Sequence, residues 1–187
     1  MYSFPLGRPD LPESASALWS LQNHLLNQAE RLLGSRDLSK KIYRPSFHQD
    51  GPILINTASK DGAFVALSQN AAGYWPTVVY EMAHETIHLL DPTVGYTTWI
   101  EEGTAVLFAE KMSSELTNHP MTAAPLSPYA AAASLVGMLP NPLFESIRSV
   151  RQLAHKLSVV TRDHLKTLFP LISGHLADQL SATCIPR

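Results

Sequence analysis

The chain has 187 residues, of which 45% are hydrophobic and 16% are charged. A chain of this length can bury a hydrophobic core without disulfides or other cross-links. Fourteen Lys and Arg against sixteen Asp and Glu give a formal charge of −2, which excludes the basic balance expected of a nucleic-acid-binding domain. The one cysteine, Cys184, excludes an internal disulfide.

Helical spacing of apolar residues, bounded by Gly, Pro and capping residues, predicts six helical segments. In chain order these segments cover residues 14–33, 77–90, 99–116, 128–139, 143–159 and 161–182, with the last one broken near Pro170 and Gly174. Two short apolar runs, 53–55 and 63–67, flank a turn and predict a β-hairpin. Residues 35–52 have no clear pattern, and Pro45 and Pro52 bracket a predicted loop.

These elements predict an α+β protein, a mostly helical domain with one small antiparallel or mixed sheet. Because no composition shift or repeat divides the chain, we expect residues 1–187 to form a single domain. Its core is expected within residues 53–116, followed by a helical C-terminal part over 127–182.

The segment His84-Glu85-Thr86-Ile87-His88 lies inside the predicted helix 77–90. Residues four apart share one face of a helix, so both imidazoles can reach the same metal ion. Zinc binds histidine nitrogen at about 2.0–2.1 Å and prefers four ligands, of which this turn supplies two. Glu85 lies at the edge of that face, where its carboxylate can accept a proton from water. The alternative interpretation is a helix with two ordinary surface or core histidines.

A catalytic zinc site needs a third protein ligand and one open position. One pattern places a histidine or an aspartate six residues after the second histidine, but that position is Val94. The remaining pattern places a glutamate on the following helix, where the chain has Glu101 and Glu102. The residues alone therefore leave two candidates for the third ligand.

The motif at 84–88 and the segment Trp99-Ile100-Glu101-Glu102-Gly103-Thr104-Ala105 together resemble the gluzincins. This class of zinc metallopeptidases carries H-E-x-x-H, an intervening stretch, and then a helix that begins W-x-x-E-G-x-A. The resemblance covers roughly residues 63–110, which is under a third of the chain.

The resemblance implies a zincin-like fold that holds one zinc ion. It implies that His84, His88 and Glu102 bind the metal and that Glu85 is the general base. Glu101 stays as the alternative third ligand, pointing about 100° away from Glu102 around the helix.

The resemblance also implies a donor for the developing negative charge and a strand that pairs with extended substrate. Tyr129, at the start of a predicted helix, is the first candidate for the donor, with Tyr96 and His119 as rivals. Residues 63–68 are the candidate substrate-pairing edge strand, and a core strand is the alternative.

One departure concerns the residue that orients a ligand histidine. Four residues after Glu102 stands Val106, where the resemblance leads us to expect an acidic partner. Asp91 is a candidate replacement for orienting His84, and an ordinary helix-terminal residue is the alternative.

We therefore expect zinc-dependent hydrolysis of a peptide or protein substrate by an endopeptidase or selective protease. Two alternatives are a zincin-fold binding or regulatory protein with little turnover, and a zinc hydrolase acting on a non-peptide substrate. No signal peptide is visible, and no apolar stretch reaches about 18 residues, so we expect a cytoplasmic protein without a membrane partner. The oligomeric state stays open.

Overall fold

A computed structural model describes residues 4, 5 and 7–184, which form seven α-helices and six short strands. The helices are α1 (Ala15–Leu33), α2 (Trp75–Leu90), α3 (Trp99–Leu116), α4 (Pro128–Val136), α5 (Leu143–Ala154), α6 (Arg162–Leu168) and α7 (Gly174–Ser181). The strands are β1 (Lys41–Ile42), β2 (Ser46–Phe47), β3 (Ile53–Asn56), β4 (Gly62–Leu67), β5 (Thr97–Thr98) and β6 (Thr183–Cys184). The predicted mostly helical α+β fold is confirmed.

The helix ends follow the local backbone signals in the sequence. Gly34, with φ of 92°, ends α1, because a glycine adopts positive φ without steric cost. Pro76 lies in the first turn of α2, where its missing N–H has no helical partner to lose. α5 is shorter than predicted, because His155 takes a left-handed conformation with φ of 67°.

The main sheet is mixed, with β4 at its centre. β3 pairs with β4 in antiparallel register, with Ile53 opposite Ala66, and this is the predicted hairpin. On the other side of β4, the short strands β1 and β2 pair with it in parallel. β2 lies within the loop predicted between Pro45 and Pro52, and β1 lies in the preceding segment that showed no clear pattern.

The prediction that residues 63–68 form a substrate-pairing edge strand is wrong. β4 has neighbours on both sides and is almost fully buried, as expected for its apolar sequence Gly-Ala-Phe-Val-Ala-Leu. The alternative of a core strand is confirmed. Among the described residues, the edge beside the motif helix is formed by β3, whose only strand partner is β4.

A second sheet contains only β5 and β6, which pair in antiparallel register. Thr97 lies opposite Cys184 and Thr98 lies opposite Thr183. The backbone N–H of Trp99 extends this pairing by donating to the carbonyl of Ala182 at 3.0 Å. The start of α3 is therefore attached to a segment more than 80 residues later in the chain.

Helices α2 and α3 pack against each other at the centre of the hydrophobic core, between α1 and α4. Gly103 lies where α3 packs closely against α4. A Cβ atom at this position would lie 2.2 Å from the carbonyl oxygen of Ala132 and 2.5 Å from Val136. The glycine in the middle of α3 therefore serves close helix packing, which offsets its low helix propensity.

Arg151 of α5 is a buried charged side chain that joins the ends of α1 and α2. Its guanidinium donates to both carboxylate oxygens of Asp91, at 2.8 and 3.0 Å. It also donates to the carbonyls of Leu33, Gly34 and Ser35, at 2.9–3.1 Å.

Within the described part of the chain, no helix has the length and apolar character needed to cross a membrane.

Candidate metal centre

Three potential metal ligands from two packed helices meet in one buried cluster. His84 and His88 lie one turn apart on α2, and Glu102 lies in the first turn of α3. Each offers one ligand atom, and these atoms lie within 4.8 Å of one another. Nε2 of His84 is 3.3 Å from Oε2 of Glu102, and Nε2 of His88 is 3.6 Å from Oε1 of the same carboxylate.

This geometry fits a metal ion. Ligands at about 2.0–2.1 Å in a tetrahedral shell are about 3.3–3.4 Å apart, close to the two measured separations. Oε2 of Glu102 is buried and has no hydrogen-bond partner among the described residues. A buried carboxylate oxygen without a partner is costly, and a cation placed between it and the imidazoles removes that cost. The cluster could therefore hold a metal ion.

Two side chains hold the ligands in this orientation. Glu101 contacts Nδ1 of His88 at 2.9 Å, which leaves Nε2 of that ring free to face the cluster. The hydroxyl of Thr97 donates to Oε1 of Glu102 at 2.6 Å. Glu101, the alternative third ligand in the sequence, thus contacts the far side of a ligand ring. Thr97 was not predicted, because no spacing rule connects a strand residue to the following helix.

Hydrogen bonds and neighbouring charges shift the pKa values of His88 and Glu102 in opposite directions, against the effect of burial. Burial disfavours a charged His88 ring, but the hydrogen bond to Glu101 and the charges of nearby carboxylates outweigh it and raise the pKa of His88 to about 10. Burial likewise disfavours the Glu102 carboxylate, but His84 and His88 lower the pKa of Glu102 to about 2. These shifts favour a positive charge beside the Glu102 carboxylate, from a proton or a metal ion.

Glu85 faces the same space as the ligands. It is buried, and it lines a cavity of about 360 Å³ together with all three of them. Burial raises the pKa of its carboxyl group above the ordinary value. Glu85 also lines a second, adjoining cavity of about 270 Å³, so it lies where the two spaces meet.

Of the three candidates for the charge-stabilising donor, only Tyr129 lines these cavities in the described structure. Its ring packs edge-on against His84, with ring centres 5.6 Å apart. Tyr96 is 71% exposed and lies outside both linings. His119 contacts the hydroxyl of Tyr74 instead.

The structure contradicts the suggested role of Asp91 in orienting His84. Asp91 follows the last residue of α2, and both its oxygens accept hydrogen bonds from Arg151. Glu102 is the only carboxylate within 4.0 Å of a His84 ring nitrogen in the described part of the chain. The sequence could not predict this, because Arg151 is 60 residues away from Asp91.

A Glu101→Gln substitution is expected to weaken metal affinity about 10–100-fold without abolishing binding. The amide keeps an oxygen near Nδ1 of His88 but removes the negative charge that favours this orientation. Competition with a chromophoric chelator would measure the affinity. Glu115→Gln, at an exposed position of the same helix, is the matched control and should bind as the parent does. If Glu101→Gln lost the metal completely while Glu102→Gln kept it, Glu101 would be the third ligand and Glu102 the supporting residue.

Comparisons with protein-family models, with curated proteins and with solved structures gave no match to this chain.

Proposed function

We propose that the protein is a zinc-dependent peptidase of the gluzincin type. The observation that carries the proposal is the convergence of His84, His88 and Glu102 beside Glu85, which is not one of the three ligands but lines the same cavity. Two imidazoles and one carboxylate, with a position left open, form a donor set typical of catalytic zinc. A structural zinc site would instead use four protein ligands, commonly including cysteines.

A zinc ion bound here would polarise the substrate carbonyl and make water acidic enough to lose a proton near neutral pH. Glu85 accepts that proton as the water oxygen attacks the peptide carbonyl carbon. It then returns the proton to the nitrogen of the leaving amine, so that the carboxylate is regenerated. The hydroxyl of Tyr129 donates a hydrogen bond to the carbonyl oxygen as negative charge develops on it.

The free edge of β3 supports a peptide as the substrate. Because the N–H of Thr57 donates to the carbonyl of Gly62, the alternation in an antiparallel pair turns the backbone groups of Leu54 and Asn56 away from β4. Both residues line the cavity that contains the cluster. An extended peptide can therefore add to this edge as a further strand, with its backbone beside Glu85.

Metal removal tests the proposal. The purified protein is expected to cleave peptides in a mixed library, to lose this activity after treatment with a zinc chelator, and to regain it with one equivalent of zinc. Mass spectrometry of the library measures cleavage, and elemental analysis of the protein measures its zinc content. A His84→Ala variant, prepared in the same way, controls for contaminating peptidases. Cleavage that persists in this variant, or that resists the chelator, would contradict the proposal.

A further inference from the structure

Glu101 has one carboxylate oxygen with a partner and one without. Oε1 contacts Nδ1 of His88 at 2.9 Å, whereas Oε2 is buried and has no hydrogen-bond partner among the described residues. The residue is only 5% exposed, so water has little access to this oxygen. A buried carboxylate oxygen is costly unless it accepts a hydrogen bond or pairs with a cation. Oε2 of Glu101 therefore marks a place for a positively charged donor.

The candidate metal ion does not fill this place. The cluster that could hold it contains His84, His88 and Glu102, and Glu101 is not a member. Glu101 contacts the ring nitrogen of His88 that is turned away from the cluster. An ion bound by the three ligands would thus leave Oε2 of Glu101 without a partner.

Glu101 lines the larger of the two cavities, and this cavity has a negative character. Glu85 and Glu102 line it as well, and no Lys or Arg does so in the described structure. Asn56 adds a neutral acceptor, because its Nδ2 donates to the carbonyl of Thr93 at 3.0 Å and its amide oxygen remains for a ligand. The cavity therefore offers acceptors for a cationic group of the substrate.

The position of Glu101 favours a cation at the end of a long side chain. In the proposed complex the peptide backbone lies along β3, with the carbonyl to be attacked beside the ion. The Glu101 carboxylate lies one ring width beyond that ion, on the far side of His88. An α-amino group is attached directly to the backbone and stays close to it. Lys and Arg instead carry their charge at the end of a flexible stem that can reach a buried carboxylate.

We propose that Glu101 binds the cationic end of a Lys or Arg side chain next to the bond that is cleaved. The charged group donates to Oε2, while Oε1 keeps its contact with His88. Glu101 is thus a specificity-determining residue in addition to its support of a metal ligand. This inference rests on the proposed peptidase function and adds the class of substrate that it takes.

Peptides that differ only at the two positions flanking the cleaved bond test the inference. Each position carries Lys, Arg, norleucine or Glu, and the N-terminus is acetylated. Norleucine has the four-carbon chain of Lys without the ammonium group. At saturating zinc, the parent protein should prefer Lys or Arg over norleucine at one position by at least about tenfold in kcat/KM.

Glu101→Gln should bring the Lys-to-norleucine ratio of kcat/KM close to one. This ratio is the diagnostic quantity, because incomplete zinc loading lowers the cleavage of every peptide by the same factor. Glu101→Asp keeps the negative charge and should retain part of the preference. Glu115→Gln, at an exposed position of the same helix, is the matched control and should keep the parent ratio.

Three results would overturn the inference. One is a parent protein that cleaves the Lys, Arg and norleucine peptides equally well. Another is a preference for Lys or Arg that Glu101→Gln retains in full. The third is a preference that follows a free α-amino group instead of the side chain, which the same peptides without the acetyl group would reveal.

A binding measurement separates this inference from the proposed reaction. Calorimetry on the zinc-loaded Glu85→Gln protein should show at least about tenfold tighter binding of the Lys peptide than of the norleucine peptide. Glu101→Gln in this background should remove the difference. Charge-selective binding by a parent protein that cleaves nothing would support the cation site and contradict the peptidase. Cleavage without charge selectivity would contradict the cation site alone.

Discussion

A Glu85→Gln substitution is expected to reduce kcat for peptide cleavage by about 10²–10⁴-fold while the metal content stays at the parent level. Glutamine has nearly the shape of glutamate but cannot accept and return the proton. Glu85 is outside the ligand cluster of His84, His88 and Glu102, so its charge is not needed to hold the ion. Steady-state kinetics measure kcat, and elemental analysis of the same preparation measures the metal content.

Glu115→Gln is the matched control for this substitution. Glu115 belongs to α3 but is exposed and pairs with Lys111 on the surface, so its loss should leave both kinetics and metal content unchanged. Parent-like cleavage by Glu85→Gln with its metal in place would remove Glu85 from the mechanism. Loss of the metal together with activity would show that Glu85 supports the cluster instead.

An Arg151→Met substitution is expected to lower the free energy of unfolding by about 3–5 kcal/mol. It leaves the buried carboxylate of Asp91 without its partner and removes the donors to the carbonyls of Leu33, Gly34 and Ser35. The side chains of the ion pair are only 7% and 13% exposed, so most of their polar contacts are with the protein and not with water. Urea unfolding followed by circular dichroism measures the difference.

Arg162→Met provides the control, because Arg162 and Asp178 form an ion pair whose side chains are 55% and 54% exposed. Arg162→Met should lower the free energy of unfolding by no more than about 1 kcal/mol. Adding Asp91→Asn to Arg151→Met should recover part of the loss, since the unpaired charge disappears while the three carbonyls stay unsatisfied. An Arg151→Met protein as stable as the Arg162→Met protein would show that the buried pair contributes little.

The sequence predicts an element well where the residues that define it are close together in the chain. α1, α2 and α3 carry apolar residues at helical spacing and have capping residues, Gly or Pro at their ends, so their bounds were close to those observed. The hairpin of β3 and β4 has a turn between two apolar runs. The spacing of His84 and His88 on one helix face is local in the same way, and both rings meet in the structure.

The sequence does not predict strands and side-chain contacts whose partners are distant in the chain. β1, β2 and β6 contain two residues each, too few for any periodicity to indicate a strand. Whether β3 or β4 lies at the edge depends on where β1 and β2 pair, which the hairpin alone does not determine. Thr97 and Glu101 are recognised as supports of the ligands only when the side-chain contacts are known.

The pairing of β5 with β6 has a consequence for the order of events during synthesis. Thr97 orients the Glu102 carboxylate, and its strand is completed by Thr183 and Cys184. While the chain is being translated, the helices bearing all three ligands leave the ribosome well before residues 183 and 184. We therefore expect the candidate metal centre to gain its full set of supporting contacts only after translation has passed Cys184.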